Sequence, residues 1–539
     1  MTGDLRAADL LARRLYEAGC RHAFGMPGGE VLTIVDALRK AGIDFVLAKH
    51  ENNAGFMAEG VHHRTGAPGI LVATVGPGAL NGVNVVANAE QDRVPLIVLT
   101  GCVDADEALT YTHQILDHQA VFAPITRATF MLTAEGADTI ADKAVGMATE
   151  GRAGPVHIDV PISVADAKPG AVRPRRRAAA SPTAPAEGPD LDRAREWLRR
   201  ARRPVMIVGL DALKDEAGDA VRAFAENYRV PLVTTYKAKG IVPENHPLCL
   251  GGAGLSPLAD RTLIPFVQSA DLILCVGYDP IEMRTGWREV WDPAKVNVVD
   301  ITAGPNHHYM HQASLHFVSD AGATLAALQA GVAAGETWAN GEIETAKARL
   351  AGNFPSDGDW GPAAIVDECR RTLPRDTIAT VDSGAHRILL SQMWTCYEPR
   401  SLLQSTAFCT MGCAVPLAIG VKHADPERPV VSFSGDAGML MVAGELSTAA
   451  ELGSRAIFVV FVDSSLALIE LKQRQRQLGN AGVDFGSHDF AAIGRAFGGY
   501  GHTVTSRREL HQALVEALGA DRFSVIAAVI DPQSYDGRI

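Results

Sequence analysis

The chain has 539 residues, 47% of them hydrophobic, and a formal net charge of −12 at pH 7. That length predicts about three domains of roughly 150 to 200 residues each, and the acidic balance argues against nucleic-acid binding, which needs a basic surface. No apolar run reaches the roughly 18 residues of a membrane span, so no membrane partner is expected. No signal-type hydrophobic segment opens the chain, and the scattered cysteines favour a reduced, cytoplasmic protein.

The first predicted domain, residues 1–165, alternates strand-like and helix-like runs. Its strand-like runs are residues 45–48, 69–75, 95–100 and 156–160. The Gly-Pro-Gly segment at residues 76–78 is a poor dinucleotide fingerprint, because the third glycine is misplaced, at Gly82, and no acidic residue ends a following strand at the expected distance. A nicotinamide-dependent oxidoreductase is therefore disfavoured.

Two polar stretches divide the rest of the chain. Residues 166–190 are rich in Pro, Ala and Arg, and we interpret them, with the basic run 173–177 inside them, as a solvated linker. A middle α/β domain is predicted at residues 191–340, a second linker at 341–361 and a last α/β domain at 362–539. The expected fold class is therefore α/β, with three consecutive doubly wound parallel-sheet domains.

The most informative feature is a pair of acidic residues behind two strand-like runs of the last predicted domain. The apolar run 430–433 stops at residues 434–438, Ser-Gly-Asp-Ala-Gly. A helix-like stretch follows at residues 441–452, and the next apolar run, 456–462, ends at Asp463. Asp436 and Asp463 are 463 − 436 = 27 residues apart, which suits one βαβ unit whose parallel strands end side by side. Hard oxygens at this edge, beside a helix N-terminus, suit Mg²⁺ that holds a diphosphate. The alternative is two strand-terminal acids that face water.

This pair resembles the metal–diphosphate motif of thiamine-diphosphate-dependent enzymes of the acetolactate synthase and pyruvate decarboxylase family. In that motif Gly-Asp-Gly is followed, further along the chain, by Asn-Asn. Here residues 435–437 are Gly-Asp-Ala, and residues 462–463 are Val-Asp. An Asp in the second position still supplies an oxygen. The resemblance implies that Asp436, the Asp463 side chain and the Ser465 carbonyl ligate Mg²⁺.

A second motif of the same family lies in the first predicted domain. The strand-like run 43–48 is followed by residues 49–54, Lys-His-Glu-Asn-Asn-Ala, which resemble the family's His-Glu-x-x-Ala segment. The resemblance implies that Glu51 is a catalytic carboxyl group, which touches the aminopyrimidine ring of the cofactor and promotes loss of the thiazolium proton. That role requires an ordered group shielded from water. The alternative is a solvated glutamate at a helix start, where Glu is common.

Further segments resemble the parts of this family that contact the cofactor. Residues 25–29 resemble its Pro-Gly-Gly turn, and residues 74–81 its Thr-Ser-Gly-Pro-Gly-x-x-Asn loop, with Val in place of Ser. Residues 382–386 and 410–412 resemble the pieces that hold the diphosphate and wedge between the two rings of the cofactor. Met411 is the expected wedge, unless it only fills the core. The cofactor-binding residues that the resemblance implies are Pro27, Gly28, Gly76, Asn81, Gly384, His386, Thr410, Met411, Gly435, Asp436, Ala437 and Gly438.

Within the family, three segments most resemble acetolactate synthases of the catabolic type, which work without FAD. They are residues 112–117, 234–240 and 277–282. By this resemblance Gln114 hydrogen-bonds the substrate, and His113 is a neighbouring catalytic residue, unless it only packs. FAD-dependent members carry a Gly-Met-His-Gly loop and a Phe-Asp-Asp-Arg segment. In this chain residues 251–254, Gly-Gly-Ala-Gly, and residues 279–280, Asp-Pro, stand where those might be, so FAD is doubtful.

Three residues of the helix-like stretch after Asp463 are candidates for substrate selectivity. Biosynthetic acetolactate synthases carry a tryptophan there, and counting along the helix puts Lys472 at its position. The Lys472 ammonium is expected to favour an acceptor with an acidic group, with Leu468 and Ile469 as a nearby apolar wall. The alternative is a surface lysine on an amphipathic helix.

The resemblance implies a thiamine-diphosphate- and Mg²⁺-dependent enzyme that decarboxylates a pyruvate-like 2-oxoacid and ligates the product to a second carbonyl. Acetolactate formation from two pyruvates is the leading hypothesis. A non-ligating 2-oxoacid decarboxylase or a 2-hydroxyacyl lyase is the alternative, and a non-catalytic homologue is a remote one, because Glu51 and both acids are retained. In this family the cofactor lies between the first domain of one subunit and the last domain of another, which implies a homodimer or a homotetramer.

Overall fold

The computed structural model describes residues 5–174 and 180–539. Within those ranges the chain forms three six-stranded sheets, which we call the first, middle and last sheets. Their strands are β1 (His22–Met26), β2 (Asp44–Leu47), β3 (Gly69–Ala73), β4 (Leu96–Cys102), β5 (Ala128–Met131), β6 (Pro155–Pro161), β7 (Pro204–Val208), β8 (Leu232–Thr235), β9 (Cys249–Ala253), β10 (Leu272–Val276), β11 (Asn297–Thr302), β12 (Leu315–Val318), β13 (Ile378–Val381), β14 (Leu402–Gln404), β15 (Val430–Gly435), β16 (Ile457–Val462), β17 (Tyr500–Val504) and β18 (Ser524–Val529).

Helices connect these strands and cover the sheets. They are α1 (Ala7–Glu17), α2 (Leu32–Ala41), α3 (Glu51–Thr65), α4 (Pro77–Asn81), α5 (Val83–Gln91), α6 (His118–Phe122), α7 (Ala137–Thr149), α8 (Ile162–Asp166), α9 (Pro189–Arg200), α10 (Leu210–Lys214), α11 (Gly218–Tyr228), α12 (Pro257–Gln268), α13 (Ala321–Gln329), α14 (Glu342–Asn353), α15 (Pro362–Thr372), α16 (Ala385–Met393), α17 (Ala414–Ala424), α18 (Asp436–Val442), α19 (Glu445–Glu451), α20 (Ala467–Gln475), α21 (Phe490–Ala496) and α22 (Arg507–Leu518).

All three sheets are parallel; the first and last sheets share one strand order, and the middle sheet has a different one. The first sheet runs β2-β1-β3-β4-β6-β5, the middle sheet β12-β11-β10-β7-β8-β9 and the last sheet β14-β13-β15-β16-β18-β17. Strands such as β3 and β16 are buried along their whole length, as expected for parallel strands with helices on both faces. The predicted fold class, three consecutive α/β units with parallel sheets, is confirmed. We call each sheet with the helices that cover it the first, middle or last unit.

Two local differences from the sequence expectations have clear physical reasons. The helix-like stretch 441–452 is interrupted between α18 and α19, where Gly444 stands just before the second helix. Part of the predicted linker 341–361 forms α14, because Ile343 and Ala346 lie one turn apart and are buried on the middle unit beside α12 and β9. In the predicted linker 166–190, the part from residue 175 to 179, which includes three arginines of the basic run, lies outside the described residues.

The first and last units of one chain share an apolar core. Helices α3 and α17 cross at van der Waals contact between backbones, which is possible only where side chains are missing. A Cβ on Gly60 would lie 2.4 Å from the Leu417 carbonyl oxygen, and one on Gly420 would lie 2.0 Å from the Met57 carbonyl oxygen. Phe56 is fully buried in the same core. The crossing therefore fixes how the first and last units sit on each other.

The described part of the chain offers no helix with the length and apolar character that a bilayer crossing demands.

We expect Gly420→Ala to lower the free energy of unfolding by about 1–3 kcal/mol, because its methyl group overlaps the α3 backbone. Urea-induced unfolding of the purified protein measures this change. Gly352→Ala is the matched control, since Gly352 also lies in a helix but nothing surrounds its Cβ position within 4 Å. The control is expected to be neutral or stabilising by up to about 1 kcal/mol. Equal stability of the two variants would contradict the close crossing.

Candidate active site

Two carboxylates meet where neighbouring strands of the last sheet end. Strands β15 and β16 pair in parallel, with Gly435 opposite Phe461. The Oδ2 atom of Asp436 accepts hydrogen bonds from the backbone N–H groups of Asp463, at 3.1 Å, and Ser464, at 2.7 Å. The structure therefore brings the predicted metal ligands Asp436 and Asp463 together, as the geometry of a βαβ unit requires.

The electrostatics of this pair favour a bound cation. Burial raises the pKa of Asp436, and burial together with the negative charge of Asp436 raises the pKa of Asp463 to about 7. Two neighbouring carboxylates disfavour each other's ionised form, and a divalent cation between them removes that penalty. Carboxylate oxygens are ligands that Mg²⁺ prefers. The donor set therefore fits the predicted metal.

The turn after β16 holds the predicted third ligand close to the acids. Ser464 has a φ of +57°, a left-handed conformation that is uncommon for residues other than glycine. The Ser465 backbone N–H donates to Asp463 Oδ1 at 3.0 Å, and the Ser465 hydroxyl donates to Asp484 Oδ1 at 2.8 Å. Ser465 thus occupies a fixed turn beside Asp463, while ligation by its carbonyl stays a prediction.

A wall of buried polar atoms lies beside the acids. The Ser383 hydroxyl and the His386 Nε2 atom are buried, and neither has a hydrogen-bond partner in the part of the chain that the structure describes. The His386 ring stacks on Phe461 with ring centroids 5.2 Å apart, and burial lowers the pKa of His386 to about 3, so the ring is neutral. A Cβ on Gly384 would lie 2.6 Å from His386 Cε1, and one on Gly435 would lie 3.4 Å from it. Buried groups without partners call for a ligand, and a diphosphate bound to the metal would satisfy them.

Asp382 joins this wall to the segment 410–413, part of which is predicted to contact the cofactor. Its buried carboxylate accepts hydrogen bonds from the backbone N–H groups of Gly412, at 2.9 Å, and Cys413, at 3.2 Å. Burial raises the pKa of Asp382 to about 6, although these N–H groups oppose the rise. Gly438 on α18 comes so close that a Cβ there would lie 2.0 Å from Asp382 Oδ2. Asp382 therefore orders two parts of the predicted cofactor site.

Glu51 opens α3 directly after β2 and is buried, with 4% of its surface exposed. Its Oε2 atom accepts a hydrogen bond from the Asn81 side-chain amide at 2.9 Å, and a Cβ on Gly78 would lie 3.1 Å from its Oε1 atom. The His50 side chain caps the helix by accepting the Asn52 backbone N–H at 3.2 Å. The carboxyl group is therefore ordered and shielded from water, as the predicted role requires, and the role itself stays a prediction.

Two glycine turns lie at the same edge of the first sheet as this carboxyl group. Pro27 and Gly28 follow β1, and a Cβ on Gly28 would lie 2.2 Å from Thr74 Oγ1, so the turns after β1 and β3 touch. Gly76 has a φ of +61°, which glycine adopts readily. Its N–H donates to His118 Nε2 at 3.0 Å. The carboxyl edge of the first sheet thus gathers the predicted cofactor residues of this unit.

His113 and Gln114 lie in an exposed segment after β4. Both side chains are exposed, and the His113 ring lies 6.2 Å from the Tyr111 ring. Gln114 has a φ of +59°, and a Cβ on Gly76 would lie 2.7 Å from its carbonyl oxygen. The structure therefore places both residues next to the turn after β3, with side chains that one chain leaves accessible to solvent.

One cavity of about 520 Å³ collects most predicted residues of the last unit. Those that line it are Gly384, His386, Met411, Gly435, Asp436, Ala437, Gly438, Asp463, Ser465, Leu468, Ile469 and Lys472. Thr410 is instead directed to the first unit, where its hydroxyl lies 3.4 Å from Asn84 Oδ1. Within the described ranges, the cavity lining comes from the middle and last units only. The predicted residues that stay outside it are Pro27, Gly28, Glu51, Gly76, Asn81, His113 and Gln114.

Both groups of predicted residues have apolar neighbours in sequence that one chain leaves exposed. These side chains are Leu47, Leu80, Leu109, Tyr111, Leu116, Phe408, Leu440 and Met441. Exposed apolar groups beside an incomplete site are typical of an interaction surface.

Two arginines that sequence reasoning did not single out also line the cavity. Arg284 comes from the middle unit and Arg387 from α16, and the Nε atom of each is buried without a hydrogen-bond partner among the described residues. The Nη2 atom of Arg284 lies 3.7 Å from Asp260 Oδ2. Arg387 donates to the Ser405 carbonyl at 2.5 Å and to Cys409 Sγ at 3.1 Å. Arg387 directly follows the predicted histidine, which was a usable signal, whereas nothing local marks Arg284, because its place depends on how the middle unit docks.

Comparisons with known proteins agree with this geometry. Residues 5–121 match the model of the thiamine pyrophosphate enzyme N-terminal TPP binding domain, residues 191–328 that of the central domain, and residues 382–528 that of the C-terminal TPP binding domain. Acetolactate synthase of Bacillus subtilis (strain 168) is 31% identical over 98% of this chain and 93% of its own length. The catabolic acetolactate synthase of Raoultella terrigena is 29% identical over 97% and 95%. The large subunit of acetolactate synthase isozyme 1 of Escherichia coli (strain K12) is 31% identical over 86% and 83%.

The chain therefore belongs to the thiamine pyrophosphate enzyme family, whose cofactor is thiamine diphosphate. It is a thiamine-diphosphate-dependent enzyme similar to acetolactate synthases, and the remote hypothesis of a non-catalytic homologue is set aside.

Proposed function

We propose that this enzyme decarboxylates a pyruvate-like 2-oxoacid and ligates the product to a second carbonyl, as acetolactate synthases do. The observation that carries the proposal is the cavity in which Asp436, Asp463 and the unpartnered His386 Nε2 atom meet the helix of Lys472. Similarity along nearly the whole chain to proteins named acetolactate synthase supports it. A non-ligating decarboxylase or a 2-hydroxyacyl lyase would use the same cofactor residues and is the alternative.

In this proposal each site residue of the last unit has one task. Thiamine diphosphate, once bound, supplies the electron sink for decarboxylation. Asp436, Asp463 and the Ser465 carbonyl would hold Mg²⁺, and the Ser383 hydroxyl and His386, in the tautomer with its proton on Nε2, would donate to the diphosphate. The rest of the cofactor site is shaped by Thr410, Met411, and the glycines where β15 meets α18, Gly435 and Gly438.

Glu51 of the first unit is proposed to hydrogen-bond the aminopyrimidine ring and to promote proton removal from the thiazolium ring. Its burial supports this role, because a carboxyl group in water would not hold a fixed direction. The Asn81 amide orients the carboxyl group by donating to Oε2. Gln114, with His113 beside it, is proposed to bind the substrate from the same edge.

We propose that a complete site forms between two copies of the chain, in a homodimer or a homotetramer. The proposed catalytic residues Glu51, His113 and Gln114 lie outside the cavity that holds Asp436 and Asp463. Exposed apolar side chains accompany both groups. A two-fold arrangement would join each first unit to the last unit of its partner and produce two equal sites.

We also propose that the enzyme works without FAD. Dinucleotides bind at the carboxyl edge of such sheets, and on the middle sheet that edge carries the buried acids Asp211, Asp279 and Asp300. Arg93 of the first unit forms ion pairs with Asp211, at 2.5 Å, and Asp279. Carboxylates repel a pyrophosphate, and this ion-pair cluster already satisfies the arginine.

The acceptor side is proposed to favour a substrate with an acidic group. Lys472 is exposed at the cavity wall, and the unpartnered Arg284 Nε atom lines the same cavity from the middle unit. Leu468 and Ile469 supply apolar contacts on the helix of Lys472. Two cations on walls from different units would attract a carboxylate, sulfonate or phosphonate.

The direct test incubates the purified protein with thiamine diphosphate and Mg²⁺ and a panel of 2-oxoacids, with products identified by mass. We expect CO₂ release from pyruvate and a ligated product such as acetolactate. Release of CO₂ with only the free aldehyde as product would establish the non-ligating alternative instead.

We expect Glu51→Gln to reduce kcat by about 10²- to 10⁴-fold, because a neutral amide cannot promote the proton transfer. Calorimetric titration should show that thiamine diphosphate still binds within a few-fold of the wild-type Kd. Glu342→Gln, at the start of α14, is the matched control and should keep wild-type turnover. Wild-type kcat in Glu51→Gln would refute the assigned role.

We expect Asp436→Ala to abolish Mg²⁺-dependent binding of thiamine diphosphate, since it removes a hard ligand and also the acceptor of two backbone N–H groups. Asp463→Asn should be much milder, because an amide oxygen still ligates Mg²⁺. Titration of both variants with and without Mg²⁺ measures the difference. Equal damage in the two variants would contradict the proposed roles.

We expect Lys472→Gln to raise KM for acidic acceptors by roughly two- to tenfold, as an exposed or half-shielded ion pair allows. KM for neutral aldehyde acceptors should stay the same. Arg476→Gln, which ends the same helix and removes the same charge outside the cavity, is the control. An equal effect of Lys472→Gln on both acceptor classes would return Lys472 to the status of a surface residue.

A further inference from the structure

The loop that follows β14 is held by polar contacts that originate in other parts of the chain. We call residues 405–411 the cofactor loop, because it carries two of the predicted cofactor contacts. The Ser405 hydroxyl donates to Asn88 Oδ1 of the first unit at 2.6 Å, and it accepts the Thr410 backbone N–H at 2.9 Å. All of these groups except Thr410 are buried. The first unit thus helps to set the shape of a loop that belongs to the last unit.

Asp92, which follows α5, fixes the start of the cofactor loop. Its Oδ2 atom accepts the Thr406 backbone N–H at 3.1 Å, and its Oδ1 atom accepts the Ala407 backbone N–H at 3.0 Å. Asp92 is only 3% exposed. Burial of a carboxylate is costly, and a nearby counter-charge offsets part of that cost.

Lys237 of the middle unit supplies that counter-charge. Its Nζ atom lies 2.7 Å from Asp92 Oδ2 and 3.8 Å from Glu59 Oε1, and all three residues are buried. Glu59, on α3, also accepts the Asn88 side-chain amide at 3.0 Å. Burial raises the pKa of Glu59, and the Lys237 ammonium opposes that rise. One ammonium group of the middle unit therefore faces two carboxylates of the first unit, one of which holds a loop of the last unit.

We propose that Lys237 is a positioning residue for the cofactor, which acts through Asp92 to hold the cofactor loop in the shape that thiamine diphosphate requires. The inference rests on the proposed role of Met411 and Thr410 in that loop. Without the ammonium, the buried Asp92 carboxylate loses its counter-charge, and we expect it to turn toward water, which weakens its two backbone hydrogen bonds. The middle unit, which carries none of the predicted cofactor contacts, thereby gains a part in cofactor binding.

The backbone conformation of the cofactor loop explains why the loop would relax if one of the hydrogen bonds that hold it were lost. Cys409 has a φ of +56°, a left-handed conformation that non-glycine residues keep only when the surroundings enforce it. The Cys409 sulfur accepts a hydrogen bond from Arg387 at 3.1 Å. Cys409 is also the exposed member of the eight free cysteines. Because the ordered loop holds the Cys409 sulfur against Arg387, the rate at which an alkylating reagent modifies Cys409 reports on the order of the loop.

Lys239 offers a matched control in the same segment. It is as deeply buried as Lys237 and forms an ion pair with Glu244 at 2.5 Å. Glu244 accepts the Cys396 backbone N–H at 2.6 Å, so this pair also joins the middle and last units. Its contacts lie outside the cofactor loop. Lys239→Met therefore removes a buried ammonium that supports a contact between units, and it leaves the printed contacts of residues 405–411 in place.

The test compares Lys237→Met, Asp92→Asn and Lys239→Met in the full-length protein. Three quantities are measured: the Tm, the Kd of thiamine diphosphate with Mg²⁺ by calorimetry, and the rate of Cys409 alkylation by iodoacetamide without cofactor, followed by peptide mass. We expect Lys237→Met and Asp92→Asn to raise both the Kd and the alkylation rate at least about tenfold. Lys239→Met should lower the Tm and leave both quantities at wild-type values.

Two results together would overturn the inference. Lys237→Met and Lys239→Met would lower the Tm alike, and the Kd and the alkylation rate would stay at wild-type values in Lys237→Met and Asp92→Asn. Lys237 would then be one more buried ion pair. Asp92→Asn tests only the contacts of Asp92, so where Lys237→Met does not fold, Lys237→Gln, which removes the charge and keeps a hydrogen-bond donor, takes its place in the same comparison. A wild-type protein without affinity for thiamine diphosphate would refute the proposed function. The alkylation rate is measured without cofactor, so comparing it among the variants would still test the role of Lys237.

Discussion

The site depends on two carboxylates that the fold holds side by side. Asp436 is fixed by backbone N–H groups of the turn after β16, so it faces Asp463 before any ligand arrives. The resulting repulsion, together with burial, raises the pKa of Asp463 to about 7, and a divalent cation relieves it. A cation held there can in turn bind a diphosphate, which the acids alone would repel. The neutral His386 and the close approach of the glycines would suit the proposed diphosphate against the strand ends.

The proposed chemistry joins two sheet edges that one chain keeps apart. Glu51 lies at the carboxyl edge of the first sheet, outside the cavity that contains the acids of the last sheet. The glycine-mediated crossing of α3 and α17 fixes these two units on each other. In the proposed assembly the pairing of two chains would complete the site, and the Lys237–Asp92 contact links the middle unit to the first unit.

Much of the fold was predictable because its signals are local. Continuous apolar runs marked β3 and β16, and the spacing of Asp436 and Asp463 marked two adjacent strand ends. The interruption between α18 and α19 and the helix α14 inside a predicted linker were missed, since tertiary packing decides both. Arg284 and the contact of Lys237 with Asp92 had no local signal at all. They arise only when units that are distant in sequence dock, and neither periodicity nor a motif encodes that docking.

Complementation between two inactive variants tests the account most directly. The Glu51→Gln and Asp436→Ala proteins are each purified alone as inactive parents. The two chains are also co-expressed with different tags, and the mixed dimer is isolated by purification on both tags. If each site combines the first unit of one chain with the last unit of its partner, a mixed dimer contains one intact site and one doubly altered site. The account predicts turnover in the mixed dimer of about half the wild-type value per dimer. A mixed dimer as inactive as its parents would contradict it, because a site built within one chain always carries one of the two substitutions.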